Sequence, residues 1–398
     1  MGVTQASAAS KLADRMSRLG TESAFEVLAR ARALEARGKK IVHLEIGEPD
    51  FDTAAHITDA AIEALRAGFT HYVPAPGLPE VREGVASWLS RTGRLETSPD
   101  QVIMAPGAKP IMWYLILATC QEGDEVIYPD PGFPMYESIA RYAGATPVPL
   151  PLREENDFRP DPEELAALVT SKTRLLVLNS PHNPCGSALT KQDCEAIADI
   201  AIRNDLLVLT DEVYWAIRYE GQHASVLDIP GMAERTVLLD GWSKTFAMTG
   251  WRLGFGVFPP ALVEPVCRLL INSVSCTSAF SQRAALAALT GPWEPVEQMV
   301  AEFSKRRDVM VAGLNAIEGV TCVRPAGAFY AFPSVKSFGI PSKKIEEHLL
   351  NRAGVAGLSG TAFGQFGEGY LRFSYANSVQ AIRDALEAVA AALPELED

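Results

Sequence analysis

The segment LLDGWSKTFAMTGWRLG (238–254) sets Ser243 and Lys244 just after an apolar run, with Arg252 eight residues beyond the lysine. A lysine drawn into a pocket loses solvation, its pKa falls from about 10.4, and the free amine can attack a carbonyl to form a Schiff base. The planar fork of Arg252 suits a phosphate dianion. LTDEVY (209–214) ends a second run on Asp211, a carboxylate whose burial is costly unless it meets a cation, with Tyr214 three residues on. LNSPHNPCG (178–186) holds Asn183 in a proline-framed turn, able to donate to a phenolate oxygen. APGAKP (105–110) puts a glycine turn at a helix start, where the free N–H groups of Ala108 and Lys109 and the positive dipole end make an anion seat. Phe133 in PDPGFPMY (129–136) offers an aromatic face to a ring. Singly, each has a plain structural role: Lys244 on a surface loop, Asp211 as a cap, Asn183 in a turn, Phe133 in the core.

Such residues need a scaffold that gathers strand ends. Short apolar runs at 102–105, 125–128, 147–150, 174–178, 206–210, 236–239 and 253–258 alternate with helical patterns. Near-continuous runs such as RLLVLNS and LLVLTDE imply burial on both faces, as in a mostly parallel sheet with helical crossovers. Ligands then bind beyond the carboxyl ends of the strands, where the polar motifs stand. Residues 22–38 read as an amphipathic helix stopped by Gly38, and a long charged helix is expected over 295–314. The expected division is an N-terminal arm and helix over 1–45, packing on the small domain; a large α/β domain over 46–290; and a small α+β domain over 291–398.

Composition narrows the function. With 398 residues, 47% hydrophobic and 21% charged, the chain suits a globular protein of two or three domains. A net charge of −13 argues against a nucleic-acid partner. The longest apolar run, 111–120, falls short of the roughly 20 residues a bilayer requires, so no membrane role is expected. The six cysteines contain no CxxC pair and the six histidines no HExxH, so neither metal nor disulfides are expected, and a reducing cytoplasm is the expected compartment. The N-terminus has no apolar core of a secretory signal.

An amine for a carbonyl, a seat for a dianion, a carboxylate for a ring cation and a donor to a phenolate together match pyridoxal phosphate. The motifs GEPDFDT (47–53), HYVPAPGLPEVRE (71–83), GDEVIYPDPGFPMY (123–136), NSPHNPCG, DEVY, SKTFAMTGWRLG and GEGYLRFSYA (367–376) occur in order. In them the chain resembles the class I/II aminotransferases, fold-type I pyridoxal-phosphate enzymes, and most of all their bacterial aspartate aminotransferase-like branch. The resemblance runs from about residue 20 to the end. It implies a large mostly parallel α/β domain with a smaller α+β domain. Lys244 then matches the Schiff-base lysine and proton shuttle, and Asp211 the partner of the ring nitrogen. Asn183 and Tyr214 match donors to the ring oxygen, and the Ala108 and Lys109 amides, Ser243 and Arg252 the phosphate cradle. Phe133 matches the ring-stacking aromatic, and Arg372 the fork on the substrate α-carboxylate, beside Gly47 and Asn183. Tyr72 resembles the tyrosine that reaches the neighbouring subunit's phosphate, implying a homodimer. Two positions depart from the pattern: Gly241 stands where relatives often carry a hydroxyl, and Trp242 where smaller residues are usual.

The implied reaction is a ping-pong transamination between an L-amino acid and a 2-oxo acid. Lys109 stands where aspartate- and prephenate-using relatives carry a lysine for a distal carboxylate, which favours an aspartate- or glutamate-like donor. Glu22, in LGTESAF (19–25), would instead repel a carboxylate or attract an amine. A neutral, aromatic or basic donor therefore stays open, as do elimination or oxidation by the same fold. Trp113 and Tyr114 are assigned to the helix core. A regulator's sensory module is disfavoured by the charge and by the short stretch ahead of the match.

Overall fold

The computed structural model describes residues 12–396, so residues 1–11 of the expected N-terminal arm and the last two residues lie outside the described part. Strand β1 (Val42–His43) precedes a seven-stranded sheet of β2 (Val102–Ala105), β3 (Glu125–Asp130), β4 (Thr146–Pro151), β5 (Thr173–Asn179), β6 (Leu207–Asp211), β7 (Thr236–Gly241) and β8 (Gly254–Val257). Their spatial order is β2-β8-β7-β6-β5-β3-β4, and only β8 runs antiparallel to its neighbours. The α/β class and the mostly parallel sheet expected from the apolar runs are thus present.

Strand periodicity explains the two buried faces. Leu175, Val177 and Leu209 pack with Ile111, Leu115, Ile139 and Leu270 of the helices on one side. Leu176, Leu178 and Val208 pack with Ile197, Ala198 and Ala201 on the other. The ladders fix which strand ends meet: Asn179 pairs with Asp211, Asp211 with Leu239, and Gly241 with Gly254. Pairing carries β6 to Asp211 and β7 to Gly241, one and two residues beyond the apolar runs, so the polar motifs begin on the ladder itself.

The remainder is built from short strands. β9 (Tyr330–Ala331), β11 (Leu358–Ser359) and β12 (Leu371–Ser374) form an antiparallel sheet in the order β11-β12-β9, and β1 pairs in parallel with β10 (Val355–Ala356). The helix Glu294–Asn315 places Met299, Phe303, Met310 and Leu314 in a core with Tyr330 and Phe373. Val27 and Ala31 of the helix Ser23–Glu35 share another with Leu350, Ala356 and Leu358. No helix among the described residues is long and apolar enough to cross a membrane.

A buried ion cluster braces two strand ends. Arg94 donates to Asp240 Oδ2 at 2.6 Å and Glu212 Oε2 at 2.8 Å, and its guanidinium lies 4.3 Å from the Trp215 ring centre. Glu212 also accepts from Ser225 Oγ at 2.5 Å and meets His223 Nε2 at 2.9 Å, while Asp240 Oδ1 accepts the Gly241 N–H at 2.6 Å. Burial pushes Asp240 up to about 6; Glu212 is buried too, but His223 and Arg94 hold it far below the usual carboxylate range. These carboxylates directly follow Asp211 and precede Gly241 in the chain.

Arg94→Met would leave both carboxylates buried without their shared cation. The expected loss is about 3–5 kcal/mol of unfolding free energy in a urea titration. Arg94→Lys, which lacks the fork, should recover only part of it. A loss within error of zero would show that the cluster does not brace the strands.

Candidate active site

A cavity of about 400 Å³ opens at the carboxyl ends of β5, β6 and β7. Ala108, Lys109, Phe133, Asn183, Asp211, Tyr214, Ser243, Lys244 and Arg252 line it from the large sheet and its helices, Gly47 from the segment after β1, and Arg372 from β12. Tyr72 is outside this lining and 91% exposed.

Lys244 lies in the short helix Trp242–Thr245 that follows β7 directly. Its Nζ donates to the Gly47 carbonyl at 2.6 Å. Burial lowers its pKa to about 8; Glu48 opposes the shift and Arg372 and Arg252 add to it. Any side chain at Gly47 would collide with the Tyr330 hydroxyl, so the carbonyl can approach the amine only as glycine. Asp211 is 5% exposed. Its Oδ2 accepts from Tyr136 Oη at 2.6 Å and its Oδ1 from the Val213 N–H at 3.3 Å. Burial raises its carboxyl to about 7 against those two hydrogen bonds, which is the state of a carboxylate still lacking a cation.

The anion seat lies at the far end. The helix Lys109–Thr119 has Ala108 at its N-cap and Pro110 in its first turn. Gly107, at φ +97°, has no Cβ where the Arg252 guanidinium packs. Arg252 is itself held by an Nη1 bond to the Thr249 carbonyl at 2.9 Å. The glycine at 241 has a steric reason: a Cβ there would lie 2.9 Å from the Leu253 carbonyl oxygen and 3.0 Å from Gly254 Cα. The tight β7–β8 approach thus disfavours a hydroxyl at that point, leaving Ser243 as the hydroxyl beside Lys244. Trp242 faces away, 1% exposed, donating Nε1–H to the Ala285 carbonyl at 3.1 Å.

Arg372 is buried, its guanidinium 4.6 Å and 4.8 Å from the ring centres of Tyr330 and Phe363. Nη1 donates to Asn183 Oδ1 at 3.2 Å, Nη2 to the Glu45 carbonyl, and Nε has no partner. Because Arg372 takes the Asn183 carbonyl oxygen, the amide NH₂ of Asn183 is left to donate elsewhere. Tyr214 Oη lies 2.7 Å from Tyr330 Oη. Phe133 meets Tyr136 edge-on at 5.7 Å.

Sequence reasoning passed over Tyr136, Tyr330 and Asn179. Tyr136 stands in the motif quoted for Phe133, three residues on, and Asn179 in the motif quoted for Asn183. Asn179 accepts the Asn183 N–H at 2.9 Å and donates to the Asp211 carbonyl at 3.0 Å, joining the two turns. Tyr330 sits in an aromatic run that reads as core. Glu22 and Lys109, which pull the substrate argument in opposite directions, are brought together as an ion pair. Tyr114 bonds Ser273 Oγ at 2.7 Å and Trp113 packs edge-on against Tyr142 at 5.2 Å, both outside the cavity lining.

The donor set fits pyridoxal phosphate on the evidence of the cavity itself. One end is a helix N-terminus beside an arginine, the other a buried carboxylate lacking a cation, with an amine depressed to about 8 between them.

The family model described as aminotransferase class I and II matches residues 39–389. The aspartate aminotransferase of Pyrococcus abyssi is 43% identical over 361 residues, covering 90% of this chain and 92% of that protein. Aromatic-amino-acid aminotransferase 2 of Thermococcus litoralis is 40% identical, covering 96% and 98%. The solved structure of Thermus thermophilus aspartate aminotransferase with maleate superposes at a TM-score of 0.91 and 36% identity, covering 96% of this chain and 99% of that one.

Asp211 gives the cofactor-free protein a defined pH response. Its folded pKa of about 7 exceeds the unfolded value, so between about pH 4 and 7 the unfolded state holds fewer protons and stability falls as pH rises. The expected loss from this group across that window is of order 4 kcal/mol, flat above it. Urea titrations should show Asp211→Asn losing that much less than wild type; equal pH slopes would refute the assignment.

Proposed function

The chain belongs to the class I and II aminotransferases and is a pyridoxal-phosphate-dependent transaminase; we propose that it carries the amino group of aspartate or glutamate to a 2-oxo acid by a ping-pong route, as a cytoplasmic homodimer. The observation that carries the residue roles is the placement of Lys244, poised near neutrality, in one cavity with the uncompensated carboxylate of Asp211 and with Arg372, whose Nε has no partner among the described residues.

Bound there, the cofactor supplies an electrophilic aldehyde and a cationic ring able to take up the electron pair of a breaking Cα–H bond. Asp211 would keep the ring nitrogen protonated, and the Tyr136 hydroxyl fixes that carboxylate in place. Lys244 would hold the cofactor through its amine and, as a free amine, would be the base placed to take the substrate's Cα proton and give it back. A pKa near 8 keeps a useful share of it neutral at pH 7, and the Gly47 carbonyl orients Nζ. Asn183 and Tyr214 would donate to the ring oxygen. The Ala108 and Lys109 amides, Ser243 and Arg252 would hold the phosphate, and Phe133 would offer the ring an aromatic face. Arg372 forks onto the substrate α-carboxylate beside Gly47 and Asn183.

The acidic donor is supported by the Lys109 ammonium at the cavity mouth, by relatives named aspartate aminotransferase, and by the dicarboxylate maleate in the Thermus structure. An aromatic donor has its own support in the apolar wall and in the relative named for aromatic amino acids. A tyrosine as exposed as Tyr72 is suited to a second subunit, where it would reach the phosphate seat. The cysteines, all free thiols, suit a reducing compartment.

The first test is the visible spectrum of the purified protein. A cofactor band that bleaches on adding L-aspartate or L-glutamate alone is expected, and bleaching by neither would overturn the acidic donor. Lys244→Ala should lose the covalent band and turnover. Arg372→Lys, with no fork, should lose about a hundredfold in kcat/KM for any amino acid. Equal activity in either variant would refute the role given to that residue.

A further inference from the structure

Lys109 opens the helix over the large sheet, whereas Glu22 immediately precedes the helix Ser23–Glu35; their ion pair joins two distant stretches of chain across the cavity mouth. The Glu22 side chain is 22% exposed and that of Lys109 41%. The segment that presents Glu22 is anchored, because the Gly20 N–H donates to Ser138 Oγ at 2.9 Å and Thr21 Oγ1 to Glu26 Oε1 at 3.1 Å. The lining of the same cavity includes carbon surface from Phe25, Met112, Leu358, Ala362 and Phe363. Glu22 also belongs to the charge environment of the reacting groups. Burial pushes both Lys244 and Arg372 down, and Glu22 is among the groups that oppose it.

A side chain reaching past Arg372 therefore meets apolar surface with a cation at its rim, and that cation already holds a carboxylate. Resting on the transaminase reading, we propose that Glu22 is a specificity-determining residue: its carboxylate occupies the place of an acidic substrate's distal carboxylate, so that the one cavity takes both apolar and acidic side chains. An aromatic or aliphatic side chain enters with the pair closed, and Lys109 is never left uncompensated against it. An acidic side chain takes Lys109 from Glu22. A single half-buried pair on the cavity lining is open to that exchange, at roughly two- to fivefold in an equilibrium constant. Glu22 thus penalises acidic ligands and shelters apolar ones.

The test uses the holoenzyme and two unreactive ligands that offer Arg372 one carboxylate and carry no amine. Succinate adds a second carboxylate; 3-phenylpropionate adds a ring. Both dissociation constants are read from the cofactor band and by calorimetry. Glu22→Gln, nearly isosteric, is expected to keep the melting temperature and to move the ratio of the two constants about fivefold towards succinate. In a Lys109→Gln background the same substitution should leave the ratio within about twofold, since Glu22 acts through that lysine. A ratio unmoved by Glu22→Gln, one moved towards 3-phenylpropionate, or a full shift without Lys109 overturns the proposal. If the wild-type protein shows no cofactor band at all, the transaminase reading itself fails; a normal band with an unmoved ratio rejects only the role of Glu22.

Discussion

A buried carboxylate with no ion-pair partner among the described residues is the constraint around which this site is arranged. Asp211 stands at the carboxyl end of β6, in the middle of the sheet, where its backbone is pinned by ladders on both sides. A hydroxyl from Tyr136 and one backbone amide are all it receives, and burial outweighs them. Such a group is expensive in isolation and becomes favourable when a cationic ring is supplied. The protein therefore holds an incomplete ion pair, which the cationic ring proposed to bind here would complete.

That arrangement needs support from behind. Glu212, the next residue, turns the other way and enters the Arg94 cluster, which also ties Asp240 just ahead of the Lys244 turn. One arginine thus couples the strand end that carries the ring partner to the strand end that carries the amine. The two carboxylates it satisfies are as buried as Asp211 but are paired, so Arg94 serves the structure and Asp211 is left without an ion-pair partner among the described residues. Bare backbone does comparable work on the other side of the cavity. The missing side chains at Gly107 and Gly241 let Arg252 and β8 close on the anion seat.

Much of this was legible in the sequence, for a physical reason. Buried parallel strands must be nearly continuous in apolar residues, so a polar residue at the end of such a run stands out, as Asp211 and Lys244 do. The antiparallel direction of β8 left no such mark, because a four-residue strand reads the same in either sense. Tyr330 and Tyr136 were hidden for a related reason: their hydroxyls act, but their rings are core, and one-dimensional pattern registers only the ring. The steric meaning of Gly241 depends on how closely β7 and β8 approach, a distance no sequence spacing carries. Glu22 and Lys109 were each visible as a charge, and opposed to one another. That they neutralise each other is a fact of tertiary contact between segments 87 residues apart.

The two functional titrations share one origin and run in opposite directions. Burial disfavours charge whatever its sign, so it lifts Asp211 towards neutrality from below and draws Lys244 down from above. The result is an acid near 7 and an amine near 8 in one cavity, neither firmly committed to its charged form. A lysine left in solvent would remain protonated and could neither attack a carbonyl nor accept a Cα proton, while a solvated aspartate would have little need of a ring cation. Enclosure by Arg372 and Tyr330 from the C-terminal strands, by Phe363 from the turn of helix before β12 and by Glu22 ahead of the N-terminal helix therefore sets both titrations. It withdraws both groups from the water that would otherwise fix their charges, which is what the roles proposed for them require.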